Sequence, residues 1–203
     1  MAISRASNSS LVNSFPKYNR IWDQAAGTGA MYPIATVALT SARTGIGFYD
    51  IPQTYTHLQL RVIARESYND TGVSNGTITF NGDTTASYSY QYLQSYSGTT
   101  SAPTMTGASS YSQTSALSFI PVDSQETSTY FSPAVIDIFD YSNPNKFTTC
   151  RTLTGFDNNN NYTQLVLDQN VWYNTSAVTS MQILVYPTAD FQASSHFALY
   201  GVM

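Results

Sequence analysis

Few residues in this chain could do chemistry, and their spacing decides what each could do. His57 and His196 are the only histidines. A Ser-His-Asp hydrolase needs an imidazole beside a hydroxyl and oriented by a carboxylate. Ser195 directly precedes His196, and neighbours in a strand point to opposite faces, so these two cannot serve each other. Neither histidine sits in a carboxylate–histidine cluster with the spacing of a metal site. Glycosidic cleavage needs two acids facing one cleft. Asp137 and Asp140 fall on opposite faces of one strand, Asp123 and Glu126 fall in a loop, and two tryptophans are too few to suggest a lined cleft. Asp157, Asn159 and Asn161 alternate like the first ligands of a calcium loop, but the glycine of its sharp turn and its closing Glu are absent. That stretch reads as an Asx-rich surface turn. Neither Gly27-x-Gly29 nor Gly45-x-Gly47 continues into a phosphate-binding fingerprint. Cys150 is the only cysteine, which excludes an intrachain disulfide and reads as a buried, structural thiol. The expectation is a chain with no catalytic residue, no cofactor and no metal.

Composition narrows the alternatives. Only 10% of the 203 residues are charged, against roughly 25% in an average soluble protein, while 14% are aromatic, with 16 Tyr and 10 Phe. Such a surface offers neutral hydrogen bonds and loses little on desolvation, which suits static protein contacts or sugar binding. Eight Lys plus Arg against twelve Asp plus Glu give a net charge of -4, and no basic stripe is present to neutralise phosphates. Nucleic acid is therefore excluded as a partner. No run approaches the ~20 apolar residues of a membrane span, and MAISRASNSS has no apolar core for a signal peptide, so synthesis in a cytoplasm is expected.

The elements that must carry these residues read as strands. Residues 1–30 lack periodicity and form an extended arm, on which Phe15, Tyr18 and Trp22 are expected to dock against the body or a neighbouring subunit. From residue 31 to 203 short strands alternate with turn signals, the spacing of a single β-sandwich domain. His57 to Arg65 is the clearest, with Leu58, Leu60, Val62 and Ala64 facing in. Asn81-Gly82-Asp83 marks a tight turn. Tyr88, Tyr90 and Tyr92 then share one face, either as core with a subunit interface or as an adhesive platform, with Trp172 as a further partner-binding candidate. Residues 94–115 read as a long Ser/Thr/Gly-rich loop carrying contacts. Ala134 to Asp157 is a hairpin turning at Tyr141 to Asn145, its second strand ending at Gly155. About ten strands and no amphipathic helix predict an all-β fold, an antiparallel double-sheet sandwich of jelly-roll type.

The hairpin segment IDIFDYSNPNKFTTCRTLTGFD resembles a segment of small β-rich structural proteins of tailed bacteriophages. So do IPQTYTHLQLRVIAR (Ile51 to Arg65), TFNGDTTASYSYQYL (Thr79 to Leu93), VWYNTSAVTSMQI (Val171 to Ile183) and FALYGV (Phe197 to Val202), in order and spacing. The resemblance implies a virion component made in the host bacterial cytoplasm and transfers no active site. With the composition, it leads to the expectation of a capsid decoration or cement protein, a homotrimer contacting the major capsid protein. The alternatives are a tail or fibre module binding host surface glycan through Tyr88, Tyr90, Tyr92 and Trp172, and a virion polysaccharide hydrolase.

Overall fold

The computed structural model describes residues 30–68, 74–96, 99–101, 115–124, 126–158, 163–186 and 189–203. The expected arm, with Phe15, Tyr18 and Trp22, lies outside them but for Ala30. Residues Pro33–Met203 form a compact unit.

Twelve strands make up the described chain: β1 (Met31–Ala38), β2 (Gly45–Phe48), β3 (His57–Ala64), β4 (Asn75–Phe80), β5 (Tyr88–Tyr96), β6 (Thr99–Ser101), β7 (Ala116–Phe119), β8 (Ser132–Phe139), β9 (Thr148–Asp157), β10 (Thr163–Trp172), β11 (Met181–Tyr186) and β12 (His196–Val202). There is no helix among the described residues. The all-β expectation holds. The count runs above the expected ten or so; one strand not foreseen is β6, within the stretch read as loop 94–115, where β5 also runs on to Tyr96. β9 likewise continues past Gly155. A Cβ there would sit 3.0 Å from the Gln164 carbonyl oxygen and 3.1 Å from Leu165 Cδ1, so the glycine lets Leu165 lie across the strand without ending it.

The strands form two sheets, ordered β1-β12-β3-β8-β9-β10-β5-β6 and β2-β11-β4-β7. Pairing runs antiparallel from β12 through β6 in the large sheet and throughout the small one. The strict two-residue alternation of β3 explains its central place: Leu58, Leu60, Val62 and Ala64 are buried, in register with Ile136 and Ile138 of β8 and with Phe197 and Leu199 of β12. Against this face packs the small sheet, through Ile46, Phe48, Ile78, Phe80, Met181 and Ile183. Strand β7 reaches over β9, β10 and β5 and covers the extension of the large sheet.

The turn after β4 forms as the sequence requires, with φ of 52° at Asn81 and 70° at Gly82. Asn81 Oδ1 accepts the backbone N–H groups of Thr179 (2.9 Å) and Ser180 (3.1 Å), tying that turn to the entry of β11. Beneath it, Asp83 accepts the Trp172 indole N–H at 2.8 Å and the Ser87 hydroxyl at 2.7 Å. The Tyr88 hydroxyl accepts the Phe80 N–H at 2.9 Å and donates to the Asp83 carbonyl at 3.1 Å.

Candidate functional site on the outer face of the large sheet

Register places the outward side chains of the large sheet in rows running across its strands. One row reads Arg61, Val135, Leu153, Leu167 and Leu93, contributed in turn by β3, β8, β9, β10 and β5. The next reads Ile63, Pro133, Gly155, Leu165 and Ser95, since Thr154 pairs with Ala134 on one side and with Val166 on the other. Large apolar side chains dominate both rows and stay uncovered: Val135 is 40% exposed, Leu93 45%, Leu167 46%, Ile63 49%, Leu153 54% and Leu165 56%. Soluble monomers ordinarily scatter such residues singly, whereas here six stand on adjoining positions of one face.

Polar rows bound the block. On one side stand Gln59, Asp137, Arg151, Gln169 and Gln91. Gln59 Nε2 donates to Asp137 at 2.9 Å and Arg151 to the same carboxylate at 3.0 Å, while the Arg151 guanidinium lies 5.4 Å over the Phe139 ring. On the other side Asp157 faces Thr163. Because Gly155 brings no side chain, the floor sinks there into an open groove of about 780 Å³, lined by Pro133, Val135, Leu153, Gly155, Leu165 and Asp157 among others.

The expected partner-binding residues that are described, Tyr88, Tyr90, Tyr92 and Trp172, lie on the opposite face. Tyr88 and Trp172 are fully buried, stacked at 6.3 Å and packed against Phe80. They are core, which corrects the expectation that they meet a partner: the small sheet covers this face of β5 and β10, and Asp83 satisfies the indole. Tyr90 and Tyr92 stack on each other at 6.2 Å, half-buried on the same inner face, with Tyr92 against Ile120, Val122, Phe156 and Val166.

The residues weighed for chemistry are held apart. Ser195 is buried and its hydroxyl bonds the backbone of Arg65, accepting from its N–H and donating to its carbonyl. His57 Nδ1 accepts the Asp140 backbone N–H at 3.0 Å, and Asp140 pairs with Lys146. Glu126 accepts from Asn158 at 2.9 Å, while Asn159 and Asn161 lie outside the described residues. Cys150 is buried, and that burial pushes its thiol up, out of the reactive range. No group of three His, Cys, Asp or Glu that could hold a metal occurs among the described residues. One acid was not singled out by its spacing. Asp168 lies on the inner face, and burial pushes its carboxyl up to about 7 against the hydrogen bond from Asn170.

The sequence did carry a signal for the exposed block. In β10, Leu165, Val166 and Leu167 are consecutive, so both faces of the strand are apolar. That pattern ordinarily marks a strand buried on both sides, and here one side is bare. Comparison of the chain with family models, curated proteins and solved structures found no match.

Proposed function

We propose that this protein is a structural component of a bacteriophage virion, a capsid decoration subunit that works by packing against neighbouring chains. The observation that carries this reading is the uncovered apolar block on β3, β8, β9, β10 and β5. In a chain with so few charges, a surface of that kind gains by leaving water and loses little by desolvating its neutral rim. The likeness of five sequence segments to phage structural proteins supports the same reading.

The strand order also supports a jelly roll. Setting aside β5, β6, β9 and β10, the other eight strands alternate between sheets as β1-β12-β3-β8 and β2-β11-β4-β7. That is the order obtained when a ribbon pairing first with last strand, second with seventh, third with sixth and fourth with fifth is wound into two sheets. The four remaining strands widen one sheet, and they bear most of the apolar block. A glycan-binding tail module takes second place, since two of its expected aromatic contacts, Tyr88 and Trp172, are buried.

Quantitative mass spectrometry of separated heads and tails tests the proposal. A fixed copy number in heads supports it. Presence in tails alone, or absence from particles, overturns it.

A further inference from the structure

The outer face of β9 presents, in order, Arg151, Leu153, Gly155 and Asp157: a cation, a large apolar side chain, a residue with no side chain and an anion. Turned about a two-fold axis that passes over Thr154 and runs across the strands, this series matches itself. Leu153 of one copy falls at Gly155 of the other, beside the open groove there, and Arg151 of one falls on Asp157 of the other. Both relations occur twice, as an isologous contact demands. We propose that the outer face of the large sheet binds a second copy of this chain in this arrangement.

Several features of the face fit that occupant. The axis lies between the two apolar rows, so it sets the row of Val135, Leu153, Leu167 and Leu93 against the row of Ile63, Pro133 and Leu165. The groove beside Gly155 has room for the incoming Leu153, and its wall is formed by Pro133 and Leu165. Packed sheets cross at about 30° and stand about 10 Å apart, and with the crossing point over Thr154 the residues of β9 are displaced least by it. Five strands about 4.8 Å apart and four rows about 6.8 Å apart give a footprint of roughly 20 Å by 20 Å. Even with side-chain relief added, that is at the small end of specific interfaces, for which a micromolar dissociation constant is expected. A subunit that meets its own copy weakly in solution can still be held firmly where many copies are arrayed.

This inference rests on the reading of the face as an assembly surface, and the experiment separates the two. Sedimentation equilibrium of the full chain at up to about 100 µM should give a dimer, with Leu153→Asp weakening association at least about tenfold. Far-UV circular dichroism of the variant checks its fold. A second measurement does not depend on Leu153. Arg151→Cys and Asp157→Cys proteins, alone and mixed, are treated with a bismaleimide spanning about 10 Å, the separation of packed sheets. Cys150 is buried, so only the introduced thiol reacts. The mixture should cross-link, whereas neither variant alone should, because equivalent residues lie three rows apart across the axis. A monomer throughout, a trimer, a dimer indifferent to Leu153→Asp, or equal cross-linking of single variants and mixture each overturns the inference. If the chain is monomeric in solution yet Leu153→Asp abolishes its incorporation into particles, the second copy is wrong and the assembly reading stands. If incorporation is also unaffected, both fail.

Discussion

Asn170 donates its Nδ2–H to Asp168 Oδ2 at 2.8 Å, and both side chains are buried on the inner face of β10. Register sets Thr152 and Tyr92 beside Asp168, and Cys150 and Tyr90 beside Asn170, so no cation faces the carboxyl from either neighbouring strand. Burial therefore dominates and pushes Asp168 up from 3.8 to about 7. A carboxyl whose folded value is raised binds its proton more tightly folded than unfolded. Stability is then full below pH ~4 and falls as pH rises to ~7, by on the order of 4 kcal/mol, with no further loss from this group above that. Glu66, also raised by burial, acts in the same direction. Asp83 acts oppositely, because hydrogen bonds from Thr85, Trp172 and Ser87 outweigh its burial and hold it at about 2, but its window lies below that of Asp168. Denaturant unfolding from pH 4 to 8 should show this decline, and Asp168→Asn should flatten it and raise stability at pH 8. An unchanged slope in Asp168→Asn would refute the assignment.

The Tyr88 hydroxyl joins the Phe80 N–H to the Asp83 carbonyl in a place closed to water. Tyr88→Phe keeps the ring and removes only the bridge, leaving a buried donor without its acceptor. The expected loss is about 1–3 kcal/mol by guanidinium unfolding. A variant as stable as the parent would mean that the hydroxyl carries no weight in the core. If these tyrosines served a partner instead, the same change would alter association and leave stability alone.

The two faces of the large sheet should respond differently to truncation. Leu153 is 54% exposed and Ile136, one strand away, is fully buried. Leu153→Ala should cost less than about 1 kcal/mol in the isolated chain, while Ile136→Ala opens a cavity and should cost about 2–5 kcal/mol. Thermal unfolding of dilute protein measures both. A large loss at Leu153 under those conditions would show that something already covers this face.

That contrast marks the limit of what the sequence discloses. The inward set of β3 is legible because every second residue is apolar and the rest are polar, and the turn at Asn81-Gly82 is legible because few residues accept positive φ. The shared face of Tyr88, Tyr90 and Tyr92 is legible for the same reason of period. Its covering is not, since it depends on β7, some 25 residues on, reaching across β5 and β10. Strand β6, Thr99-Thr100-Ser101, has no apolar residue to announce it and forms by pairing with the end of β5. The exposed block is the hardest case. Leu165, Val166 and Leu167 fit a strand buried on both sides equally well, and only the arrangement of the sheets shows which side lacks a cover.

Arg65 follows β3 and is itself buried, its guanidinium donating to the Thr127 carbonyl at 2.9 Å and to the carbonyls of Glu126 and Tyr130. In the segment leading into β8 the Tyr130 N–H donates to the Thr127 carbonyl, and the Arg65 fork ties that same turn to the end of β3. Arg65 also lowers the raised carboxyl of its neighbour Glu66, beside buried Asp123. Arg65→Ala therefore removes a donor from three carbonyls and a cation from beside Glu66, and should cost about 3–5 kcal/mol. Arg65→Lys retains the charge but reaches fewer acceptors from a single point, so it should recover only part of that loss. Hydrogen exchange read by mass spectrometry should find amides of 126–131 deprotected in Arg65→Lys while β3 and β8 keep their protection. Equal protection in the parent and the lysine variant would remove the guanidinium fork from this account and leave its charge as the only contribution.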